Sequence, residues 1–393
     1  MNRNLWLLVG AQGLFLTNNI TFIAINGLVG LALAPLGWMA TLPLMSYVVG
    51  GALCTGIVAR TQRRYGRKTS FQLGLLIAFL SALLCAYAVV ERNFWLLCLA
   101  TVIAGYYNAN AHLYRFVAAE LAPLAAREKA VSMVMAGGLI GAAIGPTLAA
   151  RSGGLLQAPF AGAYLALAAV ALVAMVLIAM IEFAPPGQVR GSNGGRPLRE
   201  IMGQPVFIVA ALCGALSFGV MNLLMAATPI AMQQCGLPFS DAALVLQWHV
   251  IGMFAPGFFT GHLIKRFGTL PVMAAGLALL LLCVGIALSG LELHQFLLAL
   301  LALGVGWNFL FTGSTTLALG AYRPEEKDRA QAALNFYVLA TLALTSLASG
   351  VLITTQGWSL LNYGSVPAVL LMAGAMFWLA RKQARSGGLQ ASP

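Results

Sequence analysis

The sequence predicts an all-α membrane protein of twelve transmembrane helices in two six-helix halves. Three observations lead there. Of 393 residues, 60% are hydrophobic and 8% charged, at a mean hydropathy of +0.88. A soluble domain carries about 25% charged residues, so a water-facing surface cannot be built from this composition. Apolar runs of about 20 residues, the length that crosses a bilayer core, recur along the whole chain. Finally, a short basic sequence near the second run returns near the eighth.

In order, the runs cover about 5–32, 38–59, 69–90, 94–117, 129–149, 160–181, 205–231, 240–264, 270–290, 294–318, 327–353 and 358–381, separated by charged residues or Pro/Gly punctuation. The first outlasts a signal peptide and shows no small-residue cleavage pattern, so it is read as a retained helix. Between the sixth and seventh runs, residues 182–204 hold Ala184-Pro185-Pro186-Gly187 and Gly191-Ser192-Asn193-Gly194-Gly195. That composition reads as a flexible linker, dividing a first half, 1–181, from a second, 205–393.

The net charge of +12, at pI ≈ 9.8, is no nucleic-acid signal, because the 22 basic residues are diluted among apolar runs and form no continuous basic face. They form an orientation code instead. With both termini on one side, the loops of that side hold 19 of the 22, against Arg92 and Arg151 opposite, while Arg115 sits at the inner end of the fourth span. The positive-inside rule makes the basic side cytoplasmic, so both termini are expected there.

The loop after the second span reads Arg63-Arg64-Tyr65-Gly66, and that after the eighth reads Lys265-Arg266-Phe267-Gly268, 202 residues later. A duplicated transporter shows such an internal repeat. Here the chain resembles the major facilitator superfamily over its whole length. The superfamily's loop signature is matched by Arg64, Gly66, Arg67 and Lys68 in the first half and by Gly261, Arg266 and Gly268 in the second. Its Asp is replaced by Arg63 and Lys265, and its leading Gly by Ala59 in the first half, so the family's gating ion pair is not carried over. Gly137, Gly141, Gly145 and Pro146 on the fifth span are similar to a glycine-rich motif of proton-driven exporters, but close helix packing is the reading preferred for them.

All ten acidic residues map to loops or helix ends. Mid-membrane therefore lacks the charged oxygens a Ca²⁺ or Mg²⁺ cage needs, and a buried carboxylate for proton coupling. Of four histidines only His249 lies deep in a span. It stands four residues before Met253 on the eighth span, as Met221 stands before Met225 on the seventh, so each pair shares a helix face. At 1.5 Å per residue, Met225 and Met221 lie about 9 and 15 Å below the outer face, and His249 and Met253 about 13 and 20 Å below it. Thioethers and a neutral imidazole select Cu(I) over Mg, Ca or Mn, and without carboxylate or thiolate Zn²⁺ fits less well. Methionine also fills gaps in apolar cores. Met372 and Met376 repeat the spacing on the last span, where a packing or lipid-facing role is expected.

These two motifs resemble those of the CcoA-type copper importers of bacterial inner membranes, a branch of the same superfamily. The resemblance implies that Met221, Met225, His249 and Met253 hold copper in transit, that Cys213 and Cys235 match that branch's functionally implicated cysteines, and that the cargo supplies cytochrome oxidase assembly. A Cys213–Cys235 disulfide is not expected, since Cys213 lies about 27 Å below the outer end of its helix and bridged Cα atoms sit within about 7 Å. Further polar groups are candidates to line a central cavity: Gln12, Thr17, Asn18, Asn19 and Asn26, then Asn108, Asn110, Asn308 and Asn335. Buried amides often only bond neighbouring helices. Arg115 and Glu120 are read as a gate or a surface ion pair.

The expectation is a monomeric secondary transporter of the bacterial inner membrane, in contact with lipid and not with nucleic acid. It has no permanent cofactor and carries copper as transported substrate by alternating access. The alternative is a carrier of a small organic solute, such as a vitamin or drug, through the amide-rich cavity; a membrane sensor or assembly factor ranks third. The sequence shows no nucleophile–base, Walker or redox motif, so an enzyme is not expected.

Overall fold

The computed structural model describes residues 3–123, 127–183 and 195–389. Among them there are helices and no strands: α1 (Arg3–Leu33), α2 (Leu42–Val90), α3 (Phe94–Ala111), α4 (Tyr114–Leu121), α5 (Arg127–Ala136), α6 (Gly138–Ser152), α7 (Ala161–Ala179), α8 (Leu198–Met202), α9 (Pro205–Gln234), α10 (Phe239–Phe254), α11 (Gly257–Phe267), α12 (Thr269–Ser289), α13 (Leu293–Leu319), α14 (Lys327–Thr355) and α15 (Gly357–Leu389). Each of the twelve predicted runs falls on helix. Nine helical stretches among the described residues are long and apolar enough to cross a membrane, or ten when α10 and α11 count as one bent span. The second and third runs share α2, and the fourth continues from α3 into the short α4.

The helices are interrupted where chemistry demands it. The α2 run turns at Gly66 (φ 80°), and α11 gives way to α12 at Gly268 (φ 90°). A positive φ is cheap only for glycine, which explains why both copies of the basic repeat end on one. The copies match in their side chains too: Arg64 lies 5.2 Å over the Tyr65 ring and Arg266 5.2 Å over that of Phe267. In the first half, Arg67 is ion-paired with Glu120 on α4, and Lys68 donates to the Ala179 carbonyl of α7 at 2.6 Å. The bend is thus tied to two other spans of its own half.

The eighth run breaks by 42° between α10 and α11. Pro256 brings no N–H to the helix, and carbonyls freed in a membrane need new partners. Asn308 of α13 supplies one, donating from Nδ2 to the Met253 carbonyl at 2.7 Å. The Thr260 hydroxyl lies 2.6 Å from Asn308 Oδ1 and 2.7 Å from the Pro256 carbonyl.

Helices α1 and α9, which open the two halves, are buried on nearly every side, whereas few residues of α14 and α15 are fully buried. Helix α1 packs on α6 and α7, and α9 on α14, α13 and α15. The predicted packing of the fifth-span glycines holds: Gly137, Gly141 and Gly145 lie against the α1 backbone at Val9 and Thr17, and Thr21 donates to the Gly145 carbonyl at 2.9 Å. Met372 and Met376 pack inside the main apolar core.

Most of the expected linker, residues 184–194, lies outside the described residues. Its last part is held rather than flexible. Arg196 forks onto Glu326 through Nε (2.9 Å) and Nη2 (2.8 Å), and the backbone N–H groups of Arg196 and Arg323 also donate to that carboxylate at 2.7 and 2.9 Å. The guanidinium first, then the two amides, hold the Glu326 carboxyl well below the usual glutamate range. A lowered carboxylate pKa stabilises the fold fully above the unfolded value, near 4.3, and loses that contribution as pH falls through the folded value. Glu326→Gln is therefore expected to melt below the wild type by a constant margin from about pH 5 to 8, with the gap closing only in stronger acid. Thermal unfolding of the detergent-solubilised protein across that range checks this.

The two halves meet on the face opposite the termini. Thr41, just before α2, donates to the Ser346 carbonyl of α14 at 2.5 Å and accepts from the Gly350 N–H at 3.0 Å. Any Cβ on Gly350 would overlap the Thr41 hydroxyl, so this close approach requires glycine. Phe160 and Phe239 meet edge to face at 4.9 Å beside the α6–α10 contact. Thr41→Val removes two hydrogen bonds worth about 1 kcal/mol each. It should shift the closed-to-open ratio of this face by roughly 5–30-fold, read as a longer distance between spin labels at residues 158 and 240.

Candidate transport cavity

Closed on one face, the halves part on the other. Between α2 and α14 lies a cavity of about 680 Å³, within the range of small-molecule sites, roughly 300–1,000 Å³. The first half contributes Val48, Val49, Ala52, Leu53 and Thr55 of α2 and Phe116 of α4; the second contributes Lys327, Gln331, Ala332, Asn335, Phe336, Leu339, Ala340 and Ala343 of α14. Lys327, Gln331 and Asn335 recur every four residues and so form one polar line on α14. Two aromatic rings, Phe116 and Phe336, stand on walls from opposite halves.

A second group of rings lies deeper along the seam. Trp307 stacks on Phe311 at 5.1 Å and 8°, and Phe218 of α9 meets both edge-on at 5.0 and 5.1 Å. Phe254 of α10 lies 6.4 Å from Trp307 and abuts Gly138 of α6, across the boundary between the halves. The indole N–H of Trp307 is buried without a partner. In the first half, Phe22 stacks on Tyr47 at 5.1 Å, and Tyr164 meets Phe22 edge-on at 5.9 Å and donates to Asn26 at 2.6 Å.

The predicted amides divide by role. Asn335 lines the cavity. Asn19 is half-buried and donates to the Tyr47 hydroxyl at 3.3 Å, while Asn18 and Gln12 are buried on α1. Thr17 is spent on its own helix, donating to the Gly13 carbonyl. Asn108 is buried with an unpartnered Oδ1. Asn110 accepts from Ser70 at 3.0 Å and from Gln62 at 3.4 Å, beside the Gly66 bend. Asn308 does not face a cavity: both ends of its amide are engaged at the α10–α11 break, so the expectation of a lining role is corrected to that of a clamp. Asn308→Ala should cost about 1–3 kcal/mol by leaving buried polar groups unpaired. That cost would appear as a lower thermal midpoint without cargo, which loss of a lining group alone would not produce.

The soft-donor residues are all inside. Met221, Met225 and Met253 belong to one apolar core and His249 is fully buried. Helix α10 packs chiefly on α13 and α6, and α9 chiefly on α14 and α13. His249 Nδ1 lies 2.7 Å from the Leu300 carbonyl of α13. A carbonyl can only accept, so Nδ1 carries the proton and Nε2 presents a bare lone pair, buried without a partner. Asn222, inside the first motif, binds α14 by donating to Ser346 at 2.9 Å and Thr345 at 3.1 Å. Cys213 is buried and Cys235 is exposed at the end of α9, both as free thiols. Their 22-residue separation on one helix places them roughly 33 Å apart.

Sequence reasoning missed Tyr47, Tyr164, Lys327 and Gln331, and the Phe218–Phe254–Trp307–Phe311 group. The four-residue spacing from Lys327 to Asn335 was a legible signal. The aromatic groups gather residues from several spans and left none.

Comparison with known proteins places this geometry in a lineage. A riboflavin transporter of Brucella anthropi is 37% identical over 376 residues, covering 94% of each chain. An uncharacterised transporter of Bacillus subtilis, YdeG, is 28% identical over 85% of this chain and 82% of its own. Among solved structures, the POT family transporter PepTSo superposes with a TM-score of 0.74 at 13% identity, covering 99% of both chains. The xylose transporter XylE of E. coli, in a partially occluded inward-open conformation, gives 0.67 at 17% over 94% of this chain and 98% of its own. At those identities the likeness shows the fold alone. The model of the Major Facilitator Superfamily matches residues 5–256 and again 210–392, and the chain, a multi-pass membrane transporter, belongs to that superfamily.

Proposed function

We propose that this protein carries a small, uncharged aromatic vitamin of the riboflavin class across the bacterial inner membrane by alternating access, with both termini cytoplasmic. The observation that carries the reading is the 37% identity, over 94% of both chains, to a protein named as a riboflavin transporter. It favours the organic-solute alternative over copper import. The cavity agrees in chemistry. Apolar walls with an aromatic ring from each half suit a flat heterocycle, since aromatic pairs gain about 0.5–1.5 kcal/mol beyond their buried area. Gln331, Asn335 and Thr55 offer hydrogen bonds to a hydroxylated chain. The basic face toward which the cavity opens is the cytoplasmic one by the positive-inside rule, so the conformation is the one that releases imported cargo.

Copper is the second reading, and one observation favours it. A neutral His249 with Nδ1 oriented by a carbonyl and a bare Nε2 is the form in which histidine binds metals. The comparisons lend no support to copper import or to supply of cytochrome oxidase.

One experiment separates the two. Proteoliposomes containing the protein should take up labelled riboflavin saturably. Asn335→Ala should lower transport efficiency about 2–10-fold, the loss of one hydrogen bond, and Met221→Ala should have little effect. Absence of riboflavin flux, together with copper accumulation abolished by Met221→Ala or His249→Ala, would overturn the proposal in favour of copper.

A further inference from the structure

The mouth of the cavity carries a charge pattern that a neutral cargo does not need. Lys327, Gln331 and Asn335 descend one face of α14, so the ammonium group stands at the opening and the amides lie up to about 12 Å further in. No carboxylate is among the residues lining the cavity. The neighbouring Glu326 is turned away and saturated by Arg196 and Arg323, and among the described residues none forms an ion pair with Lys327.

The first half places a second cation against the cavity wall, behind one of its lining rings. Phe116 forms part of the wall, and the Arg115 guanidinium lies 4.9 Å from the centre of its ring. Arg115 Nε is buried without a partner. The nearby carboxylate, Glu120, is taken by Arg67. A buried guanidinium N–H left unpaired is costly, and positive-inside orientation explains a cation in a loop, not one sunk into the end of a span.

We infer that Arg115 and Lys327 form an anion subsite at the cavity mouth that takes a phosphate monoester borne on the hydroxylated chain of the cargo. This rests on the vitamin reading for the identity of the rest of the ligand. Guanidinium and ammonium are the groups that proteins use for phosphate oxygens, as a fork and as a point charge respectively. The heterocycle lies against the Phe116 and Phe336 rings, the hydroxylated chain runs along Asn335 and Gln331, and the phosphate meets the two cations. Since Arg115 belongs to one half and Lys327 to the other, a bound ester bridges them. It holds the mouth against the rearrangement that transport requires, so the phosphorylated form of the cargo acts as an inhibitor from the terminus-bearing face.

The test uses the full-length protein in lipid nanodiscs and reads the quenching of flavin fluorescence on binding. The probes are riboflavin and riboflavin 5′-phosphate, with inorganic phosphate as competitor. The wild type should bind the phosphate ester about tenfold more tightly than riboflavin, and the preference should shrink as salt is raised. Lys327→Gln and Arg115→Gln should each bring that ratio close to one. The ratio compares two ligands on one protein sample, so partial loss of folded Arg115→Gln does not imitate the result, and Lys327→Gln alters an exposed side chain. Equal affinities in the wild type, or a preference that survives both substitutions, overturns the subsite. Competition by inorganic phosphate as strong as by the ester overturns the ester assignment. Riboflavin flux without ester preference sinks the subsite alone, while ester binding without riboflavin flux supports the subsite and sinks the cargo reading.

Discussion

Inside a hydrocarbon layer a backbone carbonyl or N–H that leaves its helix finds no water, so each departure from regular helix has to be repaired by another part of the protein. The rest of this structure depends on that constraint. At Pro256 the helix breaks, and Asn308 from the neighbouring span and Thr260 from the broken span itself take up the freed carbonyls. At Gly66 the chain turns, and Asn110 collects Gln62 and Ser70 on either side of the turn. The two cases differ in kind: Asn308 bonds a backbone carbonyl at the break, whereas Asn110 ties together two side chains that flank the turn.

The same constraint makes the closed face a defined object. Thr41 accepts from and donates to the α14 backbone across the boundary between halves, and Asn222 of α9 binds α14 one turn away. Cargo-side elements and the closed face are therefore joined through one helix, α14, which also carries the polar line of the cavity.

The interior is defined by what it lacks as well as by what it holds. With acids confined to loops and helix ends, the cavity presents apolar surface, amides and aromatic rings, with Lys327 as the charged group of its lining. The methionines and His249 give another part of the same half a soft-donor character. However, their side chains are embedded in the apolar core that joins α9, α10 and α13, which is also how methionine serves as simple filling.

The sequence by itself determined the class, the helical runs and the basic repeat, because each is a property of runs of residues. A bilayer selects apolar length, and a translocating chain is oriented by its loop cations, so neither depends on which helices touch. Only the tertiary structure decided what each amide does. Asn308 and Asn335 sit on different spans and look alike in sequence, yet one is consumed by a broken helix and the other faces the opening. The physical reason is directional: a side-chain amide is defined by the groups within about 3 Å of it, and in a bundle those come from helices 48 to 124 residues away in the chain. The soft-donor motifs show the same limit, since helical spacing placed each pair on a common face but did not say which neighbouring helix that face would meet.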